Sequence, residues 1–139
     1  MSKISHAIVF TSILKISYKN KEHLSSYLTK PSIIIANHGS SLDIPLLDAL
    51  LQNSPRLWIS NSKFKKIPFF TLLLTRMNIC LDPTKPKESL RSLEQAKNQA
   101  RAYNQHILLF PEGTRHDDGQ IHPFKQGFAH LAEELDRQI

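Results

Sequence analysis

Ile33-Ile34-Ile35-Ala36 runs without a break into Asn37-His38-Gly39-Ser40-Ser41-Leu42-Asp43. An apolar run of strand length is followed at once by dense polarity. A second stretch repeats the arrangement, with Ile107-Leu108-Leu109-Phe110 leading into Pro111-Glu112-Gly113-Thr114-Arg115. Apolar runs this short suit strands buried on both faces, as in a parallel sheet, and each delivers its polar residues to the sheet edge.

Outward from these two stretches, the pattern alternates. Ser32 to Ala36 reads as a buried strand, and Leu46, Leu47, Leu50 and Leu51 then recur at helical spacing. Pro45 is tolerated only within the first turn of that helix, so the helix begins near Ser41 to Asp43. Arg56 to Ser60 reads as a strand, followed by a basic turn, a short apolar helix from about Pro68 to Met77, and a strand from Ile79 to Leu81. From Glu88 to Tyr103, the residues Leu90, Leu93, Ala96, Ala100 and Tyr103 lay an apolar stripe along a helix. His106 to Phe110 is a central strand, and a last helix starts at about Gln126. Upstream, the β-branched and aromatic run Ile8 to Tyr18 suggests a strand, with Asn20 to Lys30 as a connecting loop. Strands alternating with helices predict an α/β fold: one domain over residues 1–139, with a predominantly parallel sheet flanked by helices on both faces. Functional residues then belong where strands end.

Bulk properties narrow the partners. The 139 residues, 40% of them hydrophobic, fit a single domain with a genuine core. Cys80 is the only cysteine, which excludes an internal disulfide and a cysteine-based metal cluster and makes a reducing, cytoplasmic setting the default. A formal net charge of +6 favours phosphate-bearing partners. Nucleic acid is disfavoured, because the lysines are scattered and no reading module or basic helix is present. No stretch reaches the ~18 to 20 apolar residues that cross a bilayer, and Lys15 and Lys19 break up the start of the chain as a secretory signal.

The chemistry lies in the two polar stretches. On one continuous helix a five-residue step would hold His38 and Asp43 about 140° apart. With His38 in the loop and Asp43 in the first helical turn, the carboxylate can fold back onto the imidazole. Such a pair fixes the tautomer and leaves the other ring nitrogen free to take a proton. A bland reading stands beside this one: Ser41 or Asp43 caps the helix, His38 is an ordinary loop residue, and Glu112 to Arg115 form a solvated turn. Ser40 and Ser41 are candidate nucleophiles, but no Gly-x-Ser-x-Gly elbow surrounds them, and a substrate hydroxyl suits the role better.

Taken together, Asn-His-x-x-x-x-Asp at 37–43 and Phe-Pro-Glu-Gly-Thr-Arg at 110–115 resemble the signature blocks of the lysophosphatidate and glycerol-3-phosphate acyltransferase family. Two weaker blocks, from Ser62 to Phe70 and from Pro123 to Gly127, are also similar, so the resemblance covers roughly Leu14 to Ile139. It implies acyl transfer from an acyl-carrier-protein or coenzyme A thioester to the free hydroxyl of a lysophospholipid acceptor. His38 is then the general base and Asp43 its partner. Arg115 takes the acceptor phosphate, Glu112, Gly113 and Thr114 shape its pocket, and Lys63 and Lys125 add charge nearby. No cofactor or metal is implied, since the thioester is already activated.

The sequence departs from the family pattern at Thr71 and Asn78, where glycines are usual, and at Pro83, where an arginine is usual. It also ends at Ile139, where the family continues into a further strand, so the sheet is expected to be incomplete at the C-terminus. Attachment would be peripheral, on the cytoplasmic face of a membrane, through apolar and basic surface. Two other readings remain: a catalytically inactive module that binds phospholipid or the acyl carrier, and a hydrolase using Ser40 or Ser41 through an acyl-enzyme.

Overall fold

Alternation along each strand divides the core in two. In the computed structural model, which describes residues 24, 26, 28–51, 54–61, 78–82 and 84–139, four strands form one sheet. They are β1 (Ile33–Ile35), β2 (Arg56–Asn61), β3 (Asn78–Leu81) and β4 (His106–Leu109). Their spatial order is β1-β4-β2-β3 and every pairing is parallel, with Ile34 opposite Leu108 and Trp58 opposite Leu108 on its other side. Successive side chains of a strand face opposite ways. Ile33, Leu57, Ile59, Ile79 and Ile107 therefore join one core, while Ile34, Trp58 and Leu108 join the other.

Helices cover both faces. Helix α1 (Asp43–Leu50) and the adjoining Leu51 bring Ile44, Leu47 and Leu51 against Trp58 and Leu108. Helices α2 (Pro86–Ala102) and α3 (Gly127–Leu135) cover the opposite face, with Ala96, Ala100, Leu131 and Ala132 buried against the strands. The expected parallel α/β sheet with helices on both sides is the fold observed. Leu57 and Ile107 are fully buried, and each such side chain contributes about 1.5–3 kcal/mol of transfer free energy.

Element boundaries differ from expectation for local reasons. Helix α2 starts at Pro86 and not at Glu88, since a proline's fixed φ and missing N–H suit the first helical position. It ends where Asn104 turns left-handed at φ 52°. The expected stripe is only half buried: Leu90 and Tyr103 are 64% and 69% exposed, at the margins of the buried face. Lys97 takes a place on that face, bonded to both Glu94 and Glu134 and so tying α2 to α3. The hydrogen bond to Glu134, then that to Glu94, hold its pKa above the ordinary lysine value.

Within the loop expected from Asn20 to Lys30, Leu24 and Ser26 are helical, and the Leu28 N–H donates to the Leu24 carbonyl at 3.1 Å. The cause is packing, because Leu24 and Leu28 lie one turn apart against the core that contains Trp58. On the outer side of β1, the Ile33 N–H is taken by the Gln138 carbonyl at 2.9 Å. The strand expected at Ile8 to Tyr18, the helix expected at Pro68 to Met77, and Lys63 all lie outside the described residues. Among the described residues no helix is long and apolar enough to cross a membrane.

Candidate active site

The parallel sheet sends β1 and β4, its neighbour, to the same edge, so the loops that follow them meet. His38 stands in the first loop and is buried. Its Nδ1 lies 2.9 Å from Asp43 Oδ2. That same oxygen accepts the backbone N–H groups of Gly39 and Ser40 at 2.9 and 2.8 Å. A capping carboxylate bonds N–H groups further along its own helix. Asp43, the first residue of α1, is turned back onto the loop before it, and no side chain caps this helix.

Two backbone N–H groups and one ring nitrogen thus converge on a single carboxylate oxygen at the start of α1. A carboxylate only accepts, so the proton of a neutral His38 belongs on Nδ1. Nε2 then carries the lone pair, and Nδ1 is the ring nitrogen that is hydrogen-bonded among the described residues. The geometry gives an imidazole oriented by a carboxylate.

The second loop supports the first from behind. Phe110 stacks on the His38 ring, with centroids 4.0 Å apart and an interplanar angle of 11°. Glu112 is buried, and its two oxygens accept the backbone N–H groups of His38 at 3.0 Å and His122 at 3.3 Å. The His38 N–H, ahead of the His122 N–H, holds the Glu112 carboxyl below the usual range, against the opposing effect of burial. The His116 N–H donates to the His38 carbonyl at 3.0 Å. His38 is thereby fixed through its N–H, its carbonyl, its Nδ1 and one ring face.

Gly113 adopts φ 74°, a left-handed conformation that side chains other than glycine's rarely take. A Cβ placed there would fall 2.5 Å from Lys125 Nζ, so the bare backbone makes room for the lysine lying over it. Arg115 is exposed and its Nη1 donates to Ser41 Oγ, which links the two loops. Ser40 Oγ accepts the Leu42 N–H at 3.2 Å. The hydrogen bonds of the two serine hydroxyls thus go to Leu42 and Arg115.

His38 also lines a cavity of about 300 Å³. Its wall is mainly apolar, with Ile59, Leu81, Leu93, Leu109, Phe128 and Leu131 among the lining residues, and Gly113, Thr114 and Lys125 line it as well. The structure thus brings His38, Gly113, Thr114 and Lys125 into one cavity lining, with Asp43 bonded to His38 and Arg115 bonded to Ser41 between the two loops. Glu112 is near them but is absent from the cavity wall, and both its oxygens serve backbone N–H groups. Its carboxylate holds the backbone of both loops, which is one way to shape a pocket as the sequence suggested.

Some participants were not singled out from sequence. Phe110 read as the end of a strand and the first residue of the second block, with no role assigned to its ring. His116 and His122, whose rings stack at 3.5 Å and whose N–H groups clamp the site, gave no signal beyond their presence in a polar segment. Asp118 Oδ2 adds to this clamp at 2.8 Å from His122 Nε2.

Comparison with known proteins agrees with this arrangement. A family model described as Acyltransferase matches residues 15–139. A protein of Helicobacter pylori named 1-acyl-sn-glycerol-3-phosphate acyltransferase is 35% identical over 121 residues, covering 86% of this chain and 51% of the relative. One of the same name from Saccharomyces cerevisiae is 32% identical over 108 residues, covering 76% of this chain and 35% of the relative. Among solved structures, the Thermotoga maritima 1-acyl-sn-glycerophosphate (LPA) acyltransferase PlsC superposes with a TM-score of 0.58 at 26% identity, over 80% of this chain and 44% of that one. The chain spans about half the length of the Helicobacter pylori relative, or less of the others. With the family model covering nearly all of it, and with histidine and aspartate held together where two parallel strands end, the chain belongs to the acyltransferase family.

Proposed function

We propose that this chain transfers a fatty acyl group from a thioester to the free hydroxyl of a lysophospholipid, lysophosphatidic acid above all. The observation that carries the reading is the pairing of His38 Nδ1 with Asp43 Oδ2 at 2.9 Å beside an apolar cavity. Nε2 of His38 takes the hydroxyl proton as the acceptor oxygen attacks the thioester carbonyl. The resulting tetrahedral adduct collapses by breaking its C–S bond, and the proton on the imidazolium passes to the leaving sulfur. The products are an ester and a free thiol, and His38 is again neutral. The thioester belongs to acyl-carrier protein or coenzyme A, and no cofactor enters the steps.

Arg115 serves the acceptor phosphate, for which a planar guanidinium offers two parallel donors. Lys125 adds a second cation at the cavity. Direct transfer is favoured over an acyl-enzyme, because Ser40 Oγ is engaged with the Leu42 N–H and Ser41 Oγ with Arg115. Incubation with lysophosphatidate and labelled acyl thioester is the test. The expected result is transfer that falls roughly 10²- to 10⁴-fold in His38→Ala, the range of general base catalysis. Equal, background-level turnover in both proteins would reject catalysis in favour of a binding module, and an acyl adduct on Ser40 or Ser41 by mass spectrometry would reject direct transfer.

A further inference from the structure

Among the described residues that line the cavity beside His38, Lys125 is the one lysine or arginine, and no aspartate or glutamate joins it there. Two contacts fix its place. The Lys125 N–H donates to the Pro111 carbonyl at 2.9 Å, which ties the residue to the turn that follows β4. Its side chain then lies over Gly113, where a Cβ would meet Cδ, Cε and Nζ at 3.2, 3.0 and 2.5 Å. Gly113, at φ 74°, thus offers bare backbone along which the lysine stem runs. Any other residue at 113 would be strained and would push the lysine away.

The proposed transfer creates a charge for this lysine to meet. As the acceptor oxygen bonds to the thioester carbonyl carbon, the π pair of the C=O bond moves onto its oxygen. The adduct holds that negative charge until the pair re-forms the double bond and expels sulfur. Acyl-transfer sites commonly meet such an oxyanion with backbone N–H groups. Around His38 those groups are committed within the loops: the His38 N–H donates to Glu112, those of Gly39 and Ser40 to Asp43, and that of Gly113 to the Phe110 carbonyl. Arg115 donates to Ser41 and is not among the cavity-lining residues. Beside a mainly apolar wall a charge is screened less than in open water. We propose that Lys125 is a catalytic residue whose Nζ donates a hydrogen bond to the thioester carbonyl oxygen as negative charge develops there, transferring no proton, and that Gly113 positions it. This rests on the proposed function and divides its two cations: Arg115 holds the acceptor phosphate throughout, whereas Lys125 acts on the reacting carbonyl.

Steady-state transfer by the full chain, from acyl-coenzyme A and acyl-carrier-protein thioesters to lysophosphatidate, is the experiment. Lys125→Met keeps the length of the stem and removes the charge. Its kcat falls about 10²- to 10³-fold, the cost of losing one oxyanion donor, while KM for lysophosphatidate stays within about two-fold of the parent. Lys125→Arg, which restores a donor, recovers most of the lost kcat. Gly113→Ala lowers kcat in the parent but costs little further in the Lys125→Met background, because both changes remove the same contact. Melting temperatures of all variants identify any loss that comes from unfolding. A Lys125→Met variant that raises KM for lysophosphatidate and leaves kcat alone would place the lysine on the phosphate and overturn the proposal, as would a Lys125→Arg variant no faster than Lys125→Met. Equal cost of Gly113→Ala in both backgrounds would overturn the part given to Gly113. A parent without turnover would remove the proposed function and this role together, whereas an active parent matched by Lys125→Met would remove the role alone.

Discussion

Two buried histidines at opposite edges of one sheet are put to opposite uses. His38 follows the C-terminal end of β1, and His106 opens β4 at the other edge. Both engage neighbours through Nδ1, but the partners differ. At His106, Nδ1 accepts the Ser32 N–H at 3.1 Å, which leaves its proton on Nε2. At His38, Nδ1 faces a carboxylate and must donate. Around His106, Arg137 donates to the Gln105 and Ala100 carbonyls, and Arg56 to Asp48 and the Leu51 and Ser54 carbonyls. Polar groups at that edge close off chain ends; at the other edge, one imidazole is held by a carboxylate, and its Nε2 makes no hydrogen bond among the described residues. Burial and polarity alone do not mark a site, and the partner taken by Nδ1 is the sharper sign.

Substitutions can break this contrast, and the largest effect is expected at Asp43. Asp43→Asn keeps an oxygen for the Gly39 and Ser40 N–H groups and for His38 Nδ1 but carries no negative charge to stabilise the imidazolium formed when Nε2 takes a proton. Acyl transfer should fall by roughly 10²- to 10⁴-fold, with the melting temperature nearly unchanged, in paired rate and thermal-melt measurements. Glu112→Ala comes next. It strands two backbone N–H groups and frees the His38 loop, so turnover should drop about 10²-fold through misplacement. Its melting temperature should fall too, which distinguishes it from Asp43→Asn.

Arg115→Ala is expected to have a smaller and different effect. Losing a charge-assisted contact to phosphate should raise KM for lysophosphatidate about ten-fold with kcat little altered, as steady-state kinetics over a range of acceptor concentration would reveal.

The smallest effect is on stability at the opposite edge. Burial first, and the charge of Arg137 second, lower the His106 pKa from its ordinary value of 6.5. Because the unfolded chain binds this proton more readily, the stability linked to His106 is complete above about 6.5 and lost as pH falls toward the lowered value. Melting temperature should therefore decline on mild acidification, and His106→Asn, which can still accept the Ser32 N–H, should flatten that decline. Glu112 acts the same way further into acid, its contribution fading as pH falls below 4.5 toward its own lowered value.

Much of the contrast was legible in the sequence where apolar runs meet polar ones. Ile33 to Ala36 and Ile107 to Phe110 declared buried parallel strands, and that topology necessarily brings residues 37–43 and 110–115 to one edge. The spacing of His38 and Asp43 permitted their contact only across a helix start, which is where α1 begins. What could not be read were contacts set by packing between distant segments. Nothing in the alternation of apolar and polar residues told that Leu90 and Tyr103 would lie outside the buried stripe, or that Lys97 would enter it between Glu94 and Glu134. The bond from the His38 N–H to Glu112 spans 74 positions, and the Phe110 stack needs both loops in place. Local periodicity carries no trace of either.

Nitrogen-15 NMR of imidazole-labelled protein at neutral pH reports which ring nitrogen of each histidine holds the proton. The expected spectrum has opposite tautomers for the two, with the proton on Nδ1 in His38 and on Nε2 in His106. A His38 protonated on Nε2, its basic nitrogen turned toward Asp43, would contradict the proposal that it is the base that accepts the hydroxyl proton.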